Sequence, residues 1–223
     1  MNLGALFAEL GRIASALEHF AARLSFSREF GDRRGMTAAM INLGQTFHAC
    51  GSFAESRAQL TRALSLSREL GVRYYETYAL QLLAELDADD GDAAAAERGF
   101  GEAIALRRQI GQKHGEAATL VARGALFARQ GRESEARTDL VAALAALATH
   151  EGRAGVQNAM HARFLVWKAT GDRAHLEEAR RRLDYLVAHA PPAHRESMAT
   201  NVRLHREIAA AAAAAGIPAA AGP

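Results

Sequence analysis

Apolar residues return along this chain every three or four positions, and the whole arrangement returns every forty. Between Met36 and Val72, Leu43, Gly44 and Phe47 share one helical face. Gly51 interrupts the stripe, and Phe53, Ser56, Leu60, Ala63 and Leu64 resume it at helical steps. This is a helix, a turn and a second helix. The same beat places Phe7, Phe47, Phe127 and Trp167 in one register, Phe20, Leu60, Phe100 and Leu140 in another, and Leu24, Leu64, Ile104 and Leu144 in a third. Small residues hold a fourth at Ala16, Ser56, Ala96 and Ala136.

Glycine punctuates the pattern. Gly11, Gly51, Gly91, Gly131 and Gly171 end the first helix of each pair, and Gly4, Gly44, Ala84 and Gly124 stand seven residues earlier. A mid-helix glycine costs about 1 kcal/mol against alanine. Gly44 and Gly124 therefore predict a close approach, with a neighbouring helix backbone where a side chain would be. A second turn follows each pair at Gly31-Asp32, Gly71-Val72, Gly111-Gln112 and, more loosely, Glu151-Gly152. The pattern predicts helices near 2–10, 13–30, 34–50, 53–70, 73–90, 93–110, 113–130, 133–150, 155–170 and 173–189. One last helix is expected from Pro191-Pro192 to Ala215, with a disordered tail over 216–223. A fixed period of this length means stacked copies of one small unit.

The motif Leu43-Gly44-x-x-Phe47-x-x-x-Gly51-x-Phe53-x-x-Ser56-x-x-x-Leu60-x-x-Ala63 resembles the tetratricopeptide repeat, in a form longer than the usual 34 residues. Ser27-Arg28-Glu29-Phe30-Gly31 and Ser67-Arg68-Glu69-Leu70-Gly71 resemble the long repeats of Pins-type adaptors, kinesin light chains and bacterial signalling proteins. The resemblance implies an all-α, right-handed tetratricopeptide-repeat solenoid of about five helix pairs, with repeats near 1–33, 34–72, 73–112, 113–152 and 153–190. A capping helix over 191–215 closes it. Leu176 to Arg180, Ser197-Met198 and Asn201 to Ile208 resemble the closing segment of large bacterial signal-transduction ATPases and regulators. Those carry proline where this chain has Arg203, and no phosphate loop of the form GxxxxGK[ST] occurs here.

Composition narrows the function. The chain has 223 residues, a net charge of +2 and one cysteine, Cys50. That charge does not single out nucleic acid, and aromatics interleaved with basic residues for base stacking are absent. No run reaches the roughly 18–20 apolar residues of a membrane span, and no secretory signal is visible. The lone Cys50 excludes an internal disulfide, reads as a small apolar residue ending a helix, and suits a reducing cytoplasm. Glu85-Leu86-Asp87-Ala88-Asp89-Asp90-Gly91-Asp92 has the wrong register for a calcium loop, since glycine arrives one place early and Arg98 stands where the closing glutamate belongs. It reads as a solvated turn, and Asp87, in the aromatic register, predicts a less well packed repeat. The histidines lack metal-ligand spacing. Arg33-Arg34, Arg107-Arg108 and Arg180-Arg181-Arg182 read as helix C-termini or exposed faces, where cations complement the dipole. No metal, cofactor or catalytic constellation is expected.

In the resembled fold the first helix of each pair lines the concave side. Carried onto this chain, the groove residues are Ile41, Asn42, Gln45 and His48; Tyr78, Gln81, Glu85 and Asp89; Val121, Ala125 and Arg129; Asn158, His161, Leu165 and Lys168. Tyr78 and Leu82 stand where chaperone-binding members need cations to clamp a carboxylate, so that function is excluded. The resemblance implies a non-catalytic scaffold binding a protein or peptide, in bacterial signalling and in the cytoplasm. The alternative is the sensor arm of a split ATPase or transcriptional regulator that takes a small peptide or ligand. The period also implies that the chain starts inside a repeat, leaving Leu3, Phe7 and Leu10 uncovered. That end is expected to pair with a second copy, as a homo-oligomer, or to continue upstream.

Overall fold

The computed structural model describes residues 12–148 and 153–219. The expectations on Gly4, Phe7, Gly11, the helix over 2–10, the uncovered N-terminal end and the Glu151-Gly152 turn lie outside them. The chain forms two compact units, Met1–Gln112 and Lys113–Pro223. The first holds α1 (Ile13–Glu29), α2 (Arg33–Ala49), α3 (Phe53–Glu69), α4 (Arg73–Asp89) and α5 (Ala93–Gln109). The second holds α6 (Lys113–Arg129), α7 (Glu133–Ala148), α8 (Arg153–Thr170) and α9 (Arg173–Ala188), then the short α10 (Arg195–Asn201) and α11 (Arg203–Ala214). No strand occurs among the described residues.

From α1 to α9 each helix begins twenty residues after the one before. The forty-residue period is two equal beats, because the turn within a pair and the turn between pairs are the same structure. Gly51, within a pair, has φ +82°, and Gly71, between pairs, has φ +64°. In both, the amide after the glycine reaches back to the last turn: Ser52 N–H donates to Phe47 O at 2.9 Å and Val72 N–H to Ser67 O at 2.9 Å. Left-handed glycine closes the helix end and satisfies its carbonyls.

In the first unit α2 touches α4 as well as α1 and α3, and α4 also packs on α5. In the second, α6 touches α8 as well as α7, α8 also meets α9, and α9 carries α10 and α11. First helices thus contact one another and make the inner layer of each unit. The core is the seam between layers: Leu43 and Leu60, Leu86 and Phe100, Phe127 and Leu140, Phe164 and Leu176 are all buried.

The mid-helix glycines do mark a close approach; the nearest atoms to an added Cβ are leucine side-chain carbons, and at Gly124 the Ala136 carbonyl oxygen follows at 3.4 Å. A Cβ on Gly44 would lie 2.5 Å from Leu60 Cγ, and one on Gly124 would lie 2.9 Å from Leu140 Cγ. Ser56 Oγ seals the same contact by donating to Gly44 O at 2.7 Å.

The last expected helix is divided. A 3₁₀ turn over Pro192–His194 leads into α10, and Val202, at φ −87° and ψ 115°, separates α10 from α11. An extended residue there is what a following proline would impose, and the chain keeps it with arginine. His205, buried, bridges the break through Nδ1, 2.8 Å from Met198 O. Nor does the chain loosen at Gly216. Its φ of +66° turns Ile217 back onto α11, where Ile217 is buried and its amide meets Ala212 O at 2.8 Å.

Candidate functional site

On α4, Tyr74, Tyr78, Gln81, Glu85 and Asp89 follow one another at helical steps along a single face. His48 approaches from the end of α2, and Arg107 from the end of α5. Together they form one connected array within the first unit. Arg107 Nη1 donates to Gln81 Oε1 at 2.6 Å, and Gln81 Nε2 donates to Glu85 Oε1 at 2.7 Å. The Glu85 carboxylate stands 3.9 Å from His48 Nδ1, and His48 Nε2 lies 2.8 Å from Asp89 Oδ2. An arginine can only donate, so the Gln81 amide is fixed with its oxygen toward Arg107 and its nitrogen toward Glu85. The guanidinium carbon of Arg107 sits 4.9 Å from the Tyr78 ring centre. Tyr74, 51% exposed, completes the edge, its hydroxyl 3.4 Å from that of Tyr78.

Burial governs the electrostatics. Desolvation raises the Glu85 carboxyl above its usual range, against the Gln81 hydrogen bond and nearby His48, which pull it down. Arg107 is fully buried, and desolvation lowers its guanidinium from its ordinary value. The Tyr74 hydroxyl is pushed up to about 12, first by its hydrogen bond to Tyr78 and then by burial. A charged residue is rarely buried without a compensating network, and this network spans three helices.

The repeats act as an internal alignment. In the register of Arg107 the other copies carry Ser27, Ser67 and Leu147; in that of Gln81 they carry Ile41, Val121 and His161. Tyr78 corresponds to Ala38, Ala118 and Asn158, and Glu85 to Gln45, Ala125 and Leu165. The third pair has therefore exchanged a serine and an aliphatic side chain for a hydrogen-bonded arginine and glutamine, and added an aromatic above them. Arg107 and Arg108 do lie in the last turn of α5, as expected, but Arg107 is buried, and the serine and leucine in its register were a signal of that inward position. Arg108 is exposed, as are Arg33 and Arg34, which begin α2 rather than end a helix.

The other expected groove positions divide. Ile41 and Val121 are buried at 5% and 2% exposure, so they belong to the core. Leu82 is buried as well. Asn42 is half-buried and Gln45 exposed on α2; Ala125 is half-buried and Arg129 exposed on α6. In the second unit, His161 and Leu165 are half-buried and Lys168 is exposed; the Asn158 side chain lies outside those described. Burial, then Lys168, drive the His161 imidazole down to about 4, with Glu207 opposing. Lys168 Nζ lies 3.5 Å from Glu207 Oε2 and 4.7 Å from the centre of the Phe164 ring.

Asp87 is not a packing gap. Arg57 on α3 takes Asp87 on Nη1 and Asp90 on Nη2, each at 2.7 Å, so an ion-pair fork replaces the aromatic of the other copies. Cys50 is exposed at the end of α2, not packed. Among the described residues no group of His, Cys, Asp and Glu could hold a metal ion, and no helix is long and apolar enough to cross a membrane.

No protein-family model matches the chain, and no curated protein does. Among solved structures, it is similar to the nearly identical TPR-like repeats of a kinesin light chain from Podosopora anserina, with a TM-score of 0.54 and 14% identity. The match covers 82% of this chain and 93% of that one. It shows the fold: an all-α array of tetratricopeptide-like helix pairs.

Proposed function

We propose that the chain is a non-catalytic interaction module that takes a protein or peptide partner on the inner face of α4, with Tyr74, Tyr78, Gln81 and Glu85 as its centre. One observation carries this reading. Departures from the pattern of the adjacent copies gather at a single point, where Arg107 (buried), Gln81 and Tyr78 stand in registers that hold serine or leucine, isoleucine or valine, and alanine in the copies before and after. A repeat needing only to stack would keep small or aliphatic residues there, as the copy before does with Ser67 and Ile41 and the copy after with Leu147 and Val121. Polar groups fixed beside exposed aromatic area suit peptide recognition, in which aromatic anchors dominate the energy. A cytoplasmic role in bacterial signalling belongs to this proposal and rests on the resemblance of the long repeats.

The test is selection of binders from a random dodecapeptide display library, followed by titration of Tyr78→Ala/Glu85→Lys with the selected peptides. The expected result is loss of binding with an unchanged circular dichroism spectrum. Should that variant lose helix, Tyr78→Ala alone carries the test. Peptides that bind wild type and variant equally move the site off this face.

A further inference from the structure

The second unit holds a pocket of about 350 Å³ between α7, α8 and α9. Arg137, Val141, Val166, Thr170, Asp172 and His175 contribute to its lining. The first unit shows what the same register does when it is filled. Two repeats before Arg137 stands Arg57, whose guanidinium holds Asp87 and Asp90 at 2.7 Å each. In the register of those aspartates the later copy has Trp167 and Thr170, and Arg137 makes no ion pair with a described residue.

A second arginine has lost its acid in the same place. On α6, Arg123 grips Asp139 through Nε at 2.7 Å and Nη2 at 2.9 Å. One repeat later Arg163 stands in that register, but the position of Asp139 is taken by Ala179. Arg163 Nε is buried without a hydrogen-bond partner, and its Nη1 lies 3.3 Å from His175 Nδ1. Because arginine only donates, His175 Nδ1 accepts, and the neutral ring carries its proton on Nε2. That N–H belongs to a residue lining the pocket. The acid at the rim, Asp172, has one carboxylate oxygen engaged at the start of α9, accepting from Ala174 N–H at 3.0 Å; the other is 3.9 Å from His175 Nε2.

We propose that this pocket binds a carboxylate. It accepts the group on the Arg137 guanidinium and His175 Nε2–H, where Arg57 holds Asp87 and Asp90 in the earlier copy. The carboxylate's aliphatic stem lies on Val141, 56% exposed, and on buried Val166. Arg163 stands behind His175 and adds positive charge. A forked arginine contact to one carboxylate is directional and charge-assisted, which separates it from diffuse attraction to surface cations. The site is independent of the α4 face and stands or falls without it.

The test follows the Arg137 Nε–H resonance by NMR in the full chain during titration with two probes, N-acetyl-glutamate amide and hexanoate. A peptide acid and a free aliphatic acid are thereby distinguished by which saturates at lower concentration. The expected result is a saturable shift that N-acetyl-glutamine amide does not produce, with affinity on the order of millimolar for one charge-assisted fork. Arg137→Gln, read on the His175 ring, should weaken binding about tenfold or more. Thr170→Asp should place an internal carboxylate where Asp90 stands for Arg57, and abolish the titration. An unsaturable shift, an equal response to the glutamine probe, or unchanged binding in folded Arg137→Gln overturns the proposal.

Discussion

Gly99 on α5 faces Ala84 on α4 so closely that a Cβ at position 99 would lie 2.9 Å from the Ala84 methyl. In the pairs before and after, the glycine is on the first helix, at Gly44 and Gly124, and the second helix carries Gln59 and Asp139 in the register of Gly99. The third pair has moved the missing methyl across the interface.

Neither partner at that contact can swing away, since the obstacle is an alanine methyl on a helix. Gly99→Ala is expected to cost about 1–3 kcal/mol by overpacking. Adding Ala84→Gly should return it to near wild type, since the pair again holds one mid-helix glycine and one alanine and the roughly 1 kcal/mol glycine cost only changes helices. Urea denaturation of the double-mutant cycle checks this; additive single effects would show that the two positions do not share the contact.

Phe127 is buried at 5% exposure, with Arg132 stacked 4.2 Å from its ring centre and Arg123 at 5.6 Å. Phe127→Ala should lower stability by about 3–5 kcal/mol. Chemical melts that leave the midpoint in place would contradict its assignment to the seam of the fourth pair.

For Asp87 the fork to Arg57 changes what a substitution does. Asp87→Phe restores the aromatic of the other copies but leaves Arg57, 40% exposed, with Asp90 alone. A half-exposed ion pair is worth about 0–1 kcal/mol, so the change should be close to neutral in a thermal melt. A loss of several kcal/mol would mean that the fork is structural.

Glu85 sets a pH dependence of definite sign. Its folded-state value lies above the ordinary 4.5, so the folded chain favours the protonated acid. Its contribution is fully present below 4.5 and is lost as pH rises through the folded value. Glu85→Gln keeps an acceptor for Gln81 and removes the charge. The variant should melt with wild type near about pH 4 and above it near about pH 7; a lower melting temperature at neutral pH would show that His48 and Gln81 more than offset desolvation.

His161 works in the opposite direction. Burial depresses it from 6.5 to about 4, so the neutral ring is favoured on folding. Stability is full above 6.5 and declines as pH falls through the window down to about 4. His161→Gln should flatten the decline relative to wild type, with Lys168 and Glu207 unchanged in both. Parallel curves for the two proteins would assign the acid sensitivity elsewhere.

The sequence alone determined the nine helices described from Ile13 to Ala188, the glycine turns described between them and the all-α repeat class. A helical stripe and a glycine at a fixed beat are local signals, and the backbone obeys them at each copy: Gly51 and Gly71 adopt positive φ as their spacing implies. It also grouped Tyr78, Gln81, Glu85 and Asp89, because residues three and four apart share a helix face whatever surrounds them. What only the tertiary structure decided is which of those faces is covered and what reaches it from another helix. Ile41 and Val121 fell into the core because the neighbouring helices close over them. Arg107, read as a cation at a helix C-terminus or on an exposed face, is buried because Gln81, 26 positions away, turns its amide toward it. Asp87, read as a packing gap, is an ion-pair partner because Arg57 lies 30 positions earlier on the adjacent helix. The period fixes where a residue sits along and around its own helix; burial and pairing depend on the side chains of the next helix, and those differ from copy to copy.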